Sequence, residues 1–337
     1  MSAEPETLPT ATTMADVAPE QLPATSIVVE WENVVLAGNT RAERMLSELG
    51  RQLRALDGRF VEPPEVMLLY DPDEVDPDDV ERATGANLGP TEDDPFTLEL
   101  VASPGHSYYR QKNRGAELVG GELLVFLDSD VIPEDGWLEN LLAPLADERV
   151  DVVAGHTYLD AETLYQRAGK YFWFFPSREE GRRDGFMANN VAFRRELFLE
   201  FGGFPDHAAY RYQCVALGQA LVAAGIGIYQ QREARCSHPA PNGLRHFLVR
   251  GLMAGHDKGV RREGSLGAGL FAACWTYVAT LFVMLRRIAR RGRLSRTPEE
   301  GPEVFLAAVV VGSIYYTLAF VGEALSLVNP GLVERLY

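Results

Sequence analysis

From Ser26 onward, short apolar runs alternate with segments whose apolar residues recur every three or four positions, the mixed periods of an α/β domain. Ile27–Val29 reads as a first strand ending at Glu30-Trp31-Glu32-Asn33. Met45, Leu46, Leu49, Leu53 and Leu56 then lie on one face of a helix between Arg41 and Leu56, opposite Arg and Glu. Val66–Tyr70 is a second strand ending at Asp71, and Leu98–Val101 a third. Ser107–Val119 is a helix closed by Gly120-Gly121. Glu122–Asp128 is the fourth strand, its run Leu123-Leu124-Val125-Phe126-Leu127 apolar enough for a central position. Further on, the pattern predicts a strand at Val150–Ala154, an aromatic-rich segment Tyr171–Phe175, a helix from about Arg194, a helix over Tyr210–Ala224 and a last strand at Ile226–Ala234. Leu266–Leu285 is free of charge, and Val304–Val328 is apolar except for Glu323, so both are candidates to cross a bilayer. The expected division is a disordered tail over 1–25, an α/β domain over 26–262 and a membrane-associated helical region over 263–337.

Composition narrows the class. With 337 residues, 46% hydrophobic and 24% charged, the chain belongs among folded proteins. A formal net charge of −16 argues against nucleic acid as a partner, because phosphate neutralisation needs a basic face. Cys214, Cys236 and Cys274 form no C-x-x-C pair and no even framework, which excludes a disulfide scaffold or cysteine zinc site and fits a reducing cytosolic setting. The first 25 residues lack the basic start and apolar core of a targeting peptide.

The chemistry concentrates at one strand end. Asp128 and Asp130 follow the fourth strand, and the carboxyl ends of strands are where open α/β sheets bind ligands. Two carboxylates one residue apart can hold a hard divalent cation while leaving room for phosphate oxygens and water. The acidic stretch Asp71, Asp73, Asp76, Asp78, Asp79 lacks the glycine and terminal glutamate of a calcium loop and reads as a solvated loop with a short helix. Trp31 reads as core packing ahead of base stacking.

The neighbourhood of Asp128-Ser129-Asp130 resembles the DxD region of family 2 glycosyltransferases of the GT-A fold. FLDSDVIPEDGWLENLL has that family's strand, DxD, proline and tryptophan-led helix, Lys112-Asn113-Arg114-Gly115 resembles its RNxG element, and Ala188–Arg195 followed by Gly202-Gly203-Phe204 resembles its acceptor-side segment. The resemblance covers about 26–255 and implies a Rossmann-like nucleotide-diphospho-sugar transferase domain, a nucleoside diphosphate sugar as donor and Mg2+ or Mn2+ as cofactor. It implies that Asp130 ligates the metal directly, that Asp128 contacts ribose or the metal through water, that Asp71 reads the base, and that Glu30 and Glu32 line the nucleotide pocket. Lys112, Asn113 and Arg114 then open toward the nucleotide, with Arg110, Lys112 or Arg114 neutralising phosphate. His238 stands where many such enzymes complete the metal shell, and a purely structural histidine is the alternative.

One position departs from the family pattern. Where the resemblance places the carboxylate base that deprotonates the acceptor, Gln213-Cys214 stands, and Asp206 and Asp184 are the substitutes within reach in sequence. The expected function is therefore inverting, metal-dependent sugar transfer to a lipid-linked or cell-envelope glycan acceptor, at the cytoplasmic face of a membrane with the catalytic domain in the cytosol. A catalytically silent domain that binds nucleotide sugar is the alternative. A haloacid-dehalogenase-like phosphatase, which also has D-x-D after a strand, fits poorly because three strand-helix units precede the motif. Arg286, Arg287, Arg290, Arg291, Arg293 and Arg296 suit an anionic lipid surface, but a two-span hairpin would put them on the far side, so the first apolar segment is expected to lie in the interface or re-enter. Glu323 is expected to face protein or the headgroups.

Overall fold

The computed structural model describes residues 21–89, 94–172, 181–206, 212–241, 243–262, 265–294 and 301–335. The strands are β1 (Thr25–Glu30), β2 (Glu65–Tyr70), β3 (Thr97–Ala102), β4 (Leu123–Asp128), β5 (Ile132–Pro133), β6 (Val152–Leu159), β7 (Gly181–Arg183), β8 (Asn190–Arg194) and β9 (Ile228–His238). The principal helices are α1 (Asn39–Ala55), α2 (Pro77–Asn87), α3 (Tyr108–Leu118), α4 (Trp137–Leu142), α5 (Leu164–Gly169), α6 (Arg195–Glu200), α7 (Tyr212–Ala223), α8 (Gly243–Gly259), α9 (Leu266–Leu294), α10 (Pro302–Val328) and α11 (Gly331–Glu334). One mixed sheet runs β3-β2-β1-β4-β8-β6-β9-β5, with β7 on β9. Its first four strands are parallel, and β8 turns antiparallel against β4. The α/β class and GT-A-like architecture expected from the resemblance are those of this sheet and its flanking helices.

The chain divides into two compact units, one of residues 1–157, 176–206 and 214–238, the other of 158–175, 207–213 and 239–337. In the first unit both faces of the sheet are covered, which explains why its central strands are apolar without alternation. Ile27 and Val29 join Met45, Leu46, Leu49 and Leu53 of α1 on one face, while Val28 joins Ala116, Phe126, Phe193 and Phe204 on the other. Gly115 lets α3 settle on the sheet: a Cβ there would lie 2.5 Å from Val28 and 2.9 Å from Leu69. Trp31 is buried in the first of these cores, as its packing reading requires. The acidic stretch after β2 includes the N-cap of α2, where Asp76 accepts from the Asp78 amide. Most of the expected tail, and residues 173–175 of the aromatic segment, lie outside the described residues, but Leu22 is already buried and bridges Phe60.

In the second unit α9 and α10 pack antiparallel: Gly269 meets Leu327, Tyr277 and Thr317 hydroxyls are 2.9 Å apart, and Gly312 meets Met284. Both helices are long and apolar enough to cross a bilayer. Along α8, Gly251, Gly255 and Gly259 present a bare stripe to α10, and a Cβ on Gly255 would fall 1.8 Å from the Ala319 carbonyl. Glu323 is buried and ion-paired with Arg262, whose Nη2 also donates to Thr276 Oγ1 at 3.0 Å, so this carboxylate faces protein.

Candidate active site

The chain passes from β1 through β2 to β3 on one side and then returns to place β4 on the other side of β1, so the strand order reverses between β1 and β4. Glu30 and Asp128 are register partners at the carboxyl ends of those two strands. Asp128 is held there by its own neighbours. Its Oδ1 lies 2.8 Å from the Lys112 ammonium and accepts from Tyr108 Oη at 2.8 Å, and Oδ2 accepts from Asn33 Nδ2 at 3.3 Å. Lys112 is fully buried and its ammonium also stands over the Tyr108 and Phe126 rings, at 4.8 and 5.4 Å from their centroids. Asn33 spans the gap, donating to Glu30 Oε1 at 2.8 Å. Burial pushes the Glu30 carboxyl well above its ordinary range, reinforced by the Asp128 charge and opposed by Lys112. Burial likewise raises the Tyr108 phenol, with Asp128 adding to it, so Tyr108 serves as a hydrogen-bond donor.

Asp130 has a different setting. The two-residue strand β5 pairs with the end of β9, Ile132 opposite Ser237, which brings the turn after β4 against His238. His238 Nε2 and Asp130 Oδ2 are 3.8 Å apart, a separation that two bonds of about 2.0–2.2 Å to one cation would span. Arg41, in the first turn of α1, ties the two strand ends together: Nε donates to the Asp130 carbonyl at 2.5 Å, and Nη2 donates to the Ser237 carbonyl at 2.8 Å and its hydroxyl at 2.9 Å. Between the two aspartates, Ser129 Oγ is buried without a hydrogen-bond partner among the described residues. No group of three or more His, Cys, Asp or Glu forms an all-protein cage among the described residues. A carboxylate and an imidazole fit the pattern of a divalent ion that takes its remaining ligands from a substrate diphosphate and water.

Asp71 follows β2, two strand ends from Asp128. Its Oδ1 accepts from the Asp73 amide at 2.9 Å and its Oδ2 from the Gly105 amide at 2.8 Å, so it joins the loops after β2 and β3. Glu32 is half-buried beyond β1. On α3 the Lys112-Asn113-Arg114-Gly115 element divides its tasks. Lys112 is the buried counter-ion described above, Asn113 donates to the Phe204 carbonyl at 2.7 Å and accepts from its amide at 2.9 Å, Gly115 allows close packing, and Arg114 is exposed. Asn190 accepts from Trp137 Nε1 at 2.8 Å and donates to the Ala234 carbonyl at 3.1 Å, fastening α4 and β9 to β8. Arg195 donates to the Ala116 carbonyl at 2.9 Å near the end of α3.

The two substitute carboxylates are both exposed. Asp206 is ion-paired with Arg110, whose Nε is 3.2 Å away, and Asp184 follows β7. Gln213 and Cys214 are buried in the first turn of α7. Sequence reasoning missed Tyr108 and Arg41 and used Asn33 only as a strand-end marker. A signal for Arg41 existed: a cation in a helix's first turn opposes the macrodipole, so its charge is expected to be used elsewhere.

This arrangement of strand ends belongs to the class of GT-A-like nucleotide-sugar folds, and residues 94–204 match the family described as glycosyl transferase family 2. That match spans about a third of the chain. Among its curated relatives, a protein named Glycosyltransferase AglE from Haloferax volcanii is 27% identical over 111 residues, 32% of this chain and 36% of that one. Glucosyl-dolichyl phosphate glucuronosyltransferase from the same organism is 27% identical over 154 residues, 43% and 48% of the two chains. The chain thus matches between a third and a half of the length of these relatives. Among solved structures, the mannosyltransferase PcManGT from Pyrobaculum calidifontis in complex with GDP-Man and Mn2+ superposes with a TM-score of 0.52 at 18% identity, covering 94% of this chain and 89% of that one.

Proposed function

We propose that the protein transfers a sugar from a nucleoside diphosphate sugar to a lipid-linked or cell-envelope glycan acceptor, with inversion and with Mg2+ or Mn2+ at the diphosphate. The observation that carries this reading is the convergence of Asp130 and His238 beside the switch point of the sheet. When bound there, the cation supplies Lewis-acid neutralisation of the charge that builds on the departing diphosphate. Asp130 and His238 are the residues that would hold it. Asp128 shapes the ribose side of the site through its bonds to Tyr108 and Asn33, and contributes to the metal only through water. Glu30, Glu32 and Asp71 line the nucleoside side, with Asn113 bracing α3. The Lys112 ammonium is committed to Asp128, which leaves Arg114 as the cation of that element free to approach phosphate.

Asp206 and Asp184 are the candidates to take the acceptor hydroxyl proton. Asp206 is already engaged in an ion pair with Arg110, which favours Asp184. The membrane segments support a lipid-linked acceptor, and so does the relative named for glucosyl-dolichyl phosphate. The acceptor would be met at the cytoplasmic face, with the catalytic unit in the cytosol. The domain division proposed is a tail ending before Leu22, a GT-A domain from there through β9, and a helical region that takes in α8 with the apolar helices over 263–337. Gln213 and Cys214, buried where the family pattern expects a base, favour a second reading as a silent nucleotide-sugar binder. Titration with nucleoside diphosphates, with and without Mn2+, combined with turnover on a panel of lipid-linked acceptors, separates the two. Metal-dependent binding with neither transfer nor donor hydrolysis supports the silent domain. Unchanged turnover in both Asp206→Asn and Asp184→Asn would remove both from the role of base.

A further inference from the structure

We infer that Arg41 is a positioning residue for the divalent cation, a clamp that sets the spacing between Asp130 and His238 without touching the diphosphate. The inference rests on the metal-dependent reading above. The two ligand side chains come from segments 108 positions apart in sequence, whose backbones are joined by short β5–β9 pairing, Ile132–Pro133 opposite Ser237–Cys236, and by the Glu134 amide donating to the Arg235 carbonyl at 2.9 Å. Arg41 adds a third element, α1, to this junction. Its guanidinium donates to the carbonyl of Asp130 itself and to the carbonyl and hydroxyl of Ser237, the residue before His238. These acceptors are backbone and hydroxyl oxygens, and what the guanidinium brings to them is its planar, forked set of donors. Lysine in its place would carry the same charge but could not satisfy both strand ends at the same angles. Pre-setting two ligands in this way reduces the reorganisation a cation must impose on binding, the effect that outer partners have on metal sites.

The test measures Mn2+ binding to the full-length protein by electron paramagnetic resonance, in the presence of a nucleoside diphosphate, together with nucleotide affinity in chelator and the thermal midpoint. Arg41→Gln is expected to weaken Mn2+ binding about tenfold to a hundredfold, with metal-free nucleotide affinity unchanged. Arg41→Lys is expected to behave like the glutamine variant. Ser237→Ala, which removes one of these bonds, is expected to lose about twofold to tenfold, and it carries the test if Arg41→Gln does not fold. Restoration of Mn2+ affinity by lysine would overturn the clamp in favour of simple charge, and an equal loss of metal-free nucleotide binding would overturn it in favour of direct phosphate contact. If the wild-type protein binds no Mn2+ with any nucleotide, the functional reading fails and the inference falls with it. If the wild type binds and the variants bind equally, the inference alone fails.

Discussion

The two sides of the sheet handle their polar strand ends in opposite ways. On the parallel side, Glu30, Asn33, Tyr108, Lys112 and Asp128 satisfy one another in a buried network. Across the turn, Asp130 and His238 are brought near one another by backbone pairing and by Arg41, with 3.8 Å between their nearest side-chain atoms. Two aspartates separated by one serine are thus held differently: Asp128 by the side chains of Tyr108, Asn33 and Lys112, and the Asp130 segment through its backbone, by β5–β9 pairing and by Arg41. Buried charges persist where partners compensate them, and in the reading proposed above the Asp130–His238 pair is where the cation would bind.

The largest effect should come from breaking the closed side. Lys112→Met removes the counter-charge of a buried carboxylate and is expected to cost about 3–5 kcal/mol of stability, read by denaturant unfolding. A variant that unfolds at the wild-type midpoint would show that Asp128 does not depend on this pair. Asp130→Asn should do the reverse, leaving the fold near its wild-type midpoint. Loss of a metal ligand is expected to lower sugar transfer on the order of 10²–10³-fold, the equivalent of several kcal/mol of Lewis-acid stabilisation.

Smaller effects distinguish the halves by pH. Glu30 has a raised folded pKa, so its contribution is complete below the ordinary carboxylate range and is lost as pH rises through the folded value. In metal-free protein, the wild type should therefore lose stability relative to Glu30→Gln as pH climbs above about 4.3. His156, on β6, has its pKa lowered by burial and by Arg235 and Arg232. Its contribution is complete above the ordinary imidazole range and is lost as pH falls, so the wild type should lose slightly relative to His156→Asn below about 6.5. Parallel curves for either variant and the wild type would remove that group from the pH dependence.

These contrasts also explain what was legible in the chain. Leu123–Asp128 reads directly as a central strand, because both of its faces meet apolar layers and nothing interrupts the run. β8 passes unnoticed because it opens on Asn189-Asn190, whose polarity is used inside the protein, with Asn190 bonded to Trp137 and Ala234. β9 runs to His238, past the expected end at Ala234, because its last residues pair with the two-residue strand β5, a partner too short to be read from the sequence. The DxD spacing and its neighbours locate the site. The resemblance already gives Asp128 and Asp130 different tasks, but the bonds that hold them come from Lys112, Tyr108 and Arg41, which reach the site from other elements and leave no mark in the local sequence.

The glycine stripe on α8 has a practical consequence for anyone seeking a soluble version of this protein. Cutting the chain after residue 262 to discard the apolar helices would leave Gly251, Gly255 and Gly259 facing nothing, on a helix whose neighbour approaches too closely for any methyl group. It would also strand Arg262 and His256 without Glu323 and Ser326. The apolar tail is thus the missing half of a helix pair, and a shortened protein that keeps α8 should aggregate unless α10 is kept with it.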